Sequence, residues 1–149
     1  AWQVWPSASL TRLQEAAGLL VGTHDFAAFG TPPRPVSSTV RTVFQAAWWE
    51  EQPYLAFEIT AQAFLYHMVR RLVHMQVLIG QGRLEPETLA EVLHTLPALP
   101  GKGPMLRHGL APAWGLTLVA VGYPPEVLSP DEDLDITQFT ADADASPVW

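Results

Sequence analysis

The sequence contains no cysteine. That excludes disulfide staples and thiolate metal sites, and it permits a cytoplasmic location. Charge is scarce: only 15% of the 149 residues are Asp, Glu, Lys or Arg. No Lys or Arg follows Arg107. No apolar run is long enough to span a bilayer, so no membrane association is expected. The N-terminus lacks the basic, apolar and small-residue succession of a secretory leader, and none is expected. No internal repeat is visible.

What is present is apolar. Hydrophobic residues make up 48% of the chain, enough for one domain with a sizeable core. Six Trp and six Phe are generous for this length, and some are expected to cover a surface that a partner occupies. The net charge is −7, and its distribution is uneven. From Ala1 to Pro125 eight basic residues balance eight acidic ones, whereas Glu126 to Trp149 holds seven acidic residues and no Lys or Arg. We therefore expect a domain over 1–125 and a solvated, flexible acidic tail over 126–149. An acidic total argues against a free-standing nucleic-acid binder. It argues less against a neutral body with one basic stripe.

Ser7 or Ser9 is placed to cap a helix through Leu10, Leu13, Ala16, Ala17 and Leu20, with Gly22 positioned to end it. His24 to Phe29 reads as a short turn, and the prolines at 32, 33 and 35 keep the next stretch irregular. Val40 to Glu50 and Tyr54 to Thr60 read as a hairpin broken at Glu51-Gln52-Pro53, with Leu55, Phe57 and Ile59 on one side of the second strand. Phe64 to Ile79 reads as a long helix ended by Gly80 and Gly82. A shorter helix opens at Glu85-Pro86-Glu87 and reaches about Leu96. Pro97 to Pro112 reads as loop, and Leu116 to Tyr123 as a strand stopped by Pro124-Pro125. This order fits an α+β fold, an antiparallel β-sheet with helices packed on one face.

The long helix is the most informative segment. At helical spacing Phe64, Leu65, Met68, Leu72, Met75 and Ile79 share one arc, and Tyr66, Val69, Val73 and Val77 widen it. The remaining strip carries His67, Arg70, Arg71 and His74, with Leu78 among them. Such a helix is buried on two sides, and an arginine on it needs an anion or a path to water. Asp25 and Glu58 are the main carboxylates outside the termini, helices and hairpin turn, so the anion is sought in another domain or in a phosphate. A metal site at His67 and His74 is not expected, because two helical turns separate them and no third ligand is near.

Four strings, in order, resemble one family. Phe64-Leu65-Tyr66-His67-Met68-Val69-Arg70 is similar to the strand-to-helix signature of the tRNA pseudouridine synthase A family. Gly22 to Phe29 resembles its Gly-x-His-Asp-Phe-x-x-Phe turn, and Thr39-Val40-Arg41-Thr42-Val43 its arginine-bearing first strand. Ala111-Pro112-Ala113-Trp114-Gly115-Leu116, followed by Val121-Gly122-Tyr123-Pro124, resembles its closing strand. The stretch Pro104 to Leu110 departs from the family pattern, and Arg107 is a candidate to replace a charge the family carries there.

The resemblance implies an isomerase acting on uridines of the tRNA anticodon stem-loop, without cofactor or metal. It implies the C-terminal half of a two-half fold, acting as a homodimer. The catalytic aspartate is expected in an N-terminal half; its Arg-Thr-Asp-x-Gly-like motif does not occur in these 149 residues. Arg70 matches the arginine that pairs with that aspartate, and Phe64 and Leu65 match the walls of the uracil pocket. Arg71 and Arg41 are candidates for phosphate contact or for structural pairing. His24-Asp25 resembles an acid–base pair, but a turn fixed by side-chain to backbone bonds is the favoured reading. Two other functions compete: a non-catalytic dimerisation or RNA-binding module of the same descent, and an unrelated small-molecule-binding domain. A last expectation is that the acidic tail folds over the arginine groove and mimics phosphate.

Overall fold

A computed structural model describes residues 1–94 and 109–123. The chain divides into two compact units, Ala1–Leu116 and Thr117–Trp149. The acidic tail, Arg107 and the end of the short helix beyond His94 lie outside the described residues.

In the first unit, helix α1 (Leu10–Leu20) leads into strand β1 (Gly22–Asp25). Strands β2 (Val40–Glu51) and β3 (Tyr54–Ala61) follow, then helices α2 (Met68–Gly80) and α3 (Pro86–His94). The strands form one antiparallel sheet in the order β1-β2-β3. The hairpin closes tightly, with Glu51 opposite Tyr54 across Gln52-Pro53. Phe44 falls at a register shift between Val43 and Gln45 and is 61% exposed.

Helix α1 packs on β2 and against α2 and α3, and α3 lies beside β1. Leu13, Ala16, Ala17 and Leu20 of α1 are buried, as their spacing predicted. They meet Val43 and Trp48 of β2 and Leu72, Met75, Val77 and Ile79 of α2. Each fully buried leucine or isoleucine contributes about 2 kcal/mol of transfer free energy. Phe57 and Ile59 turn to this core, and Phe57 stacks on Trp48 with centroids 4.8 Å apart. Trp49, Glu58 and Thr60 alternate away from it and are exposed. The fold is α+β, an antiparallel sheet with helices packed on it, as expected.

Four local expectations are corrected. Ser9 holds the N-cap position of α1, but its side chain makes no cap bond; its N–H donates instead to the Gly80 carbonyl at 2.8 Å, tying α1 to the end of α2. Gly22 to Asp25 is a strand rather than part of a turn, because β2 supplies its ladder partners from Val40 to Val43. Helix α2 starts at Met68, not Phe64. His67 adopts a left-handed backbone (φ 65°) that a right-handed helix cannot run through, and before it Tyr66 is held in an isolated bridge, its N–H donating to the Thr31 carbonyl at 3.0 Å. Leu116 to Tyr123, expected as a strand, has no ladder partner among the described residues. A strand exists only through its neighbour, and here Leu118 and Val119 are 75% and 83% exposed.

Candidate functional site

The four strings singled out in the sequence meet in pairs. Asp25 Oδ1 accepts the Ala27 N–H at 3.0 Å and the Thr39 hydroxyl at 2.5 Å. The Phe26 N–H donates to the Thr39 carbonyl at 3.1 Å. The His-Asp-Phe turn is thus pinned to the head of β2. His24 Nε2 lies 3.1 Å from the Val21 carbonyl. These bonds are the turn-fixing arrangement favoured above, with His24 and Asp25 each engaged locally.

The loop that follows is drawn to the start of α2. Thr31 and Tyr66 form an isolated antiparallel bridge. Gly30 makes this possible: a Cβ there would stand 2.5 Å from the Leu65 Cβ and 2.7 Å from the Tyr66 carbonyl oxygen. Only glycine allows so close a backbone approach. Between the two segments lies an open recess of about 520 Å³ lined by Thr31, Pro32, Pro33, Phe64, Leu65 and Tyr66. Phe64 and Leu65, expected as pocket walls, both line it. Leu65 is 3% exposed and belongs to the core, whereas Phe64 is 39% exposed. Tyr66 stacks on the His67 ring at 3.8 Å.

Arg70 lies in the first turn of α2, beyond this recess in sequence. Its Nε donates to the Ala111 carbonyl at 2.6 Å, and the Ala111 N–H returns a bond to the Arg70 carbonyl at 3.1 Å. The Ala-Pro string is therefore latched to the first turn of α2. Arg70 forms no ion pair among the described residues, where the salt bridge present joins Arg12 to Glu85. With Nε engaged, the paired Nη nitrogens of its guanidinium have no acceptor among the described residues.

The other two arginines sit differently. Arg41 pairs with His24 across the β1–β2 ladder. Its Nη1 donates to the carbonyls of Ser38 and Val40, both at 2.7 Å, while its Nε is buried without a partner among the described residues. Arg71 is half-buried and forms no ion pair among the described residues. Neither lines the recess. No group of three potential metal ligands occurs among the described residues, and none of their helices is long and apolar enough to cross a membrane.

Sequence reasoning missed the contribution of Thr31, Pro32, Pro33 and Tyr66 to the recess. The signal was Gly30 before a proline pair, which marks a close approach but not what is approached. It also missed Gln76, a fully buried amide on the apolar arc of α2. Gln76 Oε1 accepts the Trp48 indole N–H at 2.8 Å, and its Nε2 donates to the Leu72 carbonyl at 3.2 Å. A lone polar residue inside an apolar stripe was the clue.

The site thus comprises an arginine without an ion pair among the described residues and an apolar recess on a helix-backed antiparallel sheet, and comparison with known proteins gives the family. The profile of the family described as tRNA pseudouridine synthase matches residues 16–124. The chain belongs to the tRNA pseudouridine synthase family. Its relatives include proteins named tRNA pseudouridine synthase A. One from Methylacidiphilum infernorum is 36% identical over 127 residues, covering 85% of this chain and 48% of the relative. One from Chloroflexus aurantiacus is 44% identical over 117 residues, covering 76% of this chain and 40% of the relative. A third, from Burkholderia thailandensis, is 36% identical over 141 residues, covering 91% and 49%. The chain spans less than half the length of each of these relatives.

Proposed function

We propose that this chain is the C-terminal half of a tRNA pseudouridine synthase that isomerises uridine in the anticodon stem-loop. The observation that carries the reading is Arg70: half-buried, held through Nε by a backbone carbonyl, and without a carboxylate of its own among the described residues. A guanidinium so placed needs an anion to complete it. The catalytic aspartate of an N-terminal half is that anion, kept ionised and oriented by the arginine. Phe64 and Leu65 wall the uracil pocket. Arg71 and Arg41 meet the RNA backbone, although the two local carbonyl bonds of Arg41 also support a structural part for it.

In this reaction the bond from the ribose to the base nitrogen breaks and a bond to a base carbon forms. The carbon loses a proton and the nitrogen gains one, so composition is unchanged and no cofactor is consumed. The enzyme works in the cytoplasm as a homodimer on tRNA, and this half alone is inactive for want of the nucleophile.

The test is uridine conversion in tRNA transcripts. The purified chain should convert none, and the chain joined to its N-terminal half should turn over. In that active form Arg70→Lys, which keeps the charge but loses the planar fork, should lower kcat by about 10²-fold or more. Turnover by the chain alone, or an unchanged kcat in Arg70→Lys, refutes the assignment.

A second reading, a non-catalytic dimerisation or RNA-binding module, is favoured by the exposed aromatics of the hairpin. Phe44, Trp49 and Tyr54 are 61%, 40% and 59% exposed. Filter binding of tRNA at two salt concentrations separates the uses: a steep salt slope supports a phosphate groove, and no binding leaves dimerisation.

A further inference from the structure

Gly109 lies against the imidazole of His74. A Cβ at this glycine would stand 1.8 Å from Cδ2 of that ring and 1.9 Å from its Nε2. No side chain fits between the backbone and the ring. Two residues later Ala111 exchanges its pair of bonds with Arg70. Arg70 and His74 are one helical turn apart and share a face of α2. Gly109 to Ala111 therefore runs along this face as a strap, touching His74 first and Arg70 next. The Trp2 indole stacks on the same imidazole, with centroids 6.0 Å apart and planes at 18°.

We propose that Gly109 and His74 are positioning residues for Arg70: the imidazole seats the strap at a fixed height over α2, and the strap's Ala111 carbonyl then holds Arg70 Nε so that the Nη edge stays presented to an anion. The consequence for catalysis rests on the reading of Arg70 given above; the strap itself does not. Without the Nε bond, a guanidinium on a flexible stem samples many orientations, and ordering it then falls to the anion alone. A carbonyl acceptor suits this task because it fixes the fork without neutralising it.

The seat works while the ring is neutral. Burial pushes the pKa of His74 below its ordinary value. Around it, α2 presents Arg70 and Arg71 from the preceding turn and Leu78 from the next. The N-terminal segment brings the Trp2 indole and the strap brings the Gly109 backbone, neither of them charged. A proton on His74 thus finds no carboxylate among these groups and two like charges on its own helix. Acidification drives the ring toward water and unseats the strap.

Amide and side-chain NMR of the 15N-labelled chain tests this. The readouts are solvent-exchange protection of the Arg70 Nε–H, assigned by loss of the signal in Arg70→Lys, and the titration of His74. In Gly109→Ala the Nε–H protection should fall about tenfold, the loss of one charge-assisted hydrogen bond. The His74 midpoint should rise toward 6.5 as the ring is expelled to water. His74→Ala should also lower protection, and the double variant H74A/G109A should restore it, because the new methyl occupies space the ring vacates. In the unaltered chain protection should fall with the His74 midpoint, a readout that survives if Gly109→Ala does not fold. Wild-type protection in Gly109→Ala, no recovery in the double variant, or protection indifferent to His74 titration overturns the proposal. In the active two-half enzyme Gly109→Ala should lower kcat and leave KM unchanged. An unchanged kcat beside lost Nε–H protection would refute the catalytic role of Arg70 and leave the strap standing.

Discussion

Replacing Gln76 by leucine tests how α2 is fastened to the sheet. Gln76 is fully buried, and its Oε1 accepts the indole N–H of Trp48, a residue only 7% exposed. The Gln76 Nε2 bond goes to the Leu72 carbonyl one turn earlier, which the helix already engages, so losing it costs little. The main cost is the stranded Trp48 N–H. An unsatisfied buried donor costs about 1–3 kcal/mol, and the extra apolar surface of leucine offsets part of that. We expect Gln76→Leu to destabilise the chain by about 2 kcal/mol. With a urea m-value of about 1–3 kcal/mol/M, the midpoint should fall by roughly 1 M. The measurement is urea unfolding followed by far-UV circular dichroism, which does not depend on Trp48 emission. Trp48→Phe should cost a similar amount, since it strands the Gln76 carbonyl. Combined, the two should cost about 1 kcal/mol or more less than their sum, because neither partner is then left waiting for the other. Strict additivity, or a Gln76→Leu chain as stable as the original, would refute the reasoning.

Three further outcomes follow from named contacts. Arg12 Nε and Nη2 reach the Ile79 and Leu84 carbonyls at 2.8 and 3.0 Å, so Arg12→Met should cost about 2 kcal/mol in urea unfolding. Glu85→Gln, which removes only the exposed ion pair with Arg12, should cost under about 0.5 kcal/mol. Gly30→Ala sets a methyl against the Leu65 Cβ and the Tyr66 carbonyl and should cost about 1–3 kcal/mol, with exchange protection lost at the Tyr66 amide. Because burial lowers the His74 pKa, the unfolded chain takes up a proton before the folded one. Stability should therefore fall as pH drops below about 6.5 toward the folded-state value, and His74→Gln should flatten that slope.

Much of the fold was legible because local chemistry and tertiary packing agree over α1, the hairpin and α3. The buried set of α1 follows its helical spacing, and the hairpin breaks where Gln52-Pro53 breaks it. Legibility ended where a distant partner decided local conformation. Phe64 to His67 carries an unbroken apolar-periodic pattern, and pattern alone extends the helix through it. Thr31, more than thirty residues earlier in sequence, holds Tyr66 in a bridge, and the left-handed His67 that follows delays the helix to Met68. The same holds for Gly22 to Asp25: its residues mark a turn, and only the adjacent β2 makes it a strand. The arginine strip was read as one cationic face. Arg70 is tied to a carbonyl forty-one residues away, a contact that no period in the sequence encodes.

By itself the sequence determined the class of fold, the family and most of the buried residues of α1 and α2. These follow from residue identity and from spacings of a few positions, where helical and strand geometry fix which side chains share a face. Tertiary structure alone decided where α2 begins, that the Thr31–Pro33 loop and Phe64–Tyr66 enclose one recess, and which edge of Arg70 is spoken for. The physical reason is range. Backbone donors and acceptors must be satisfied somewhere, but which distant group satisfies them is settled only when the elements pack.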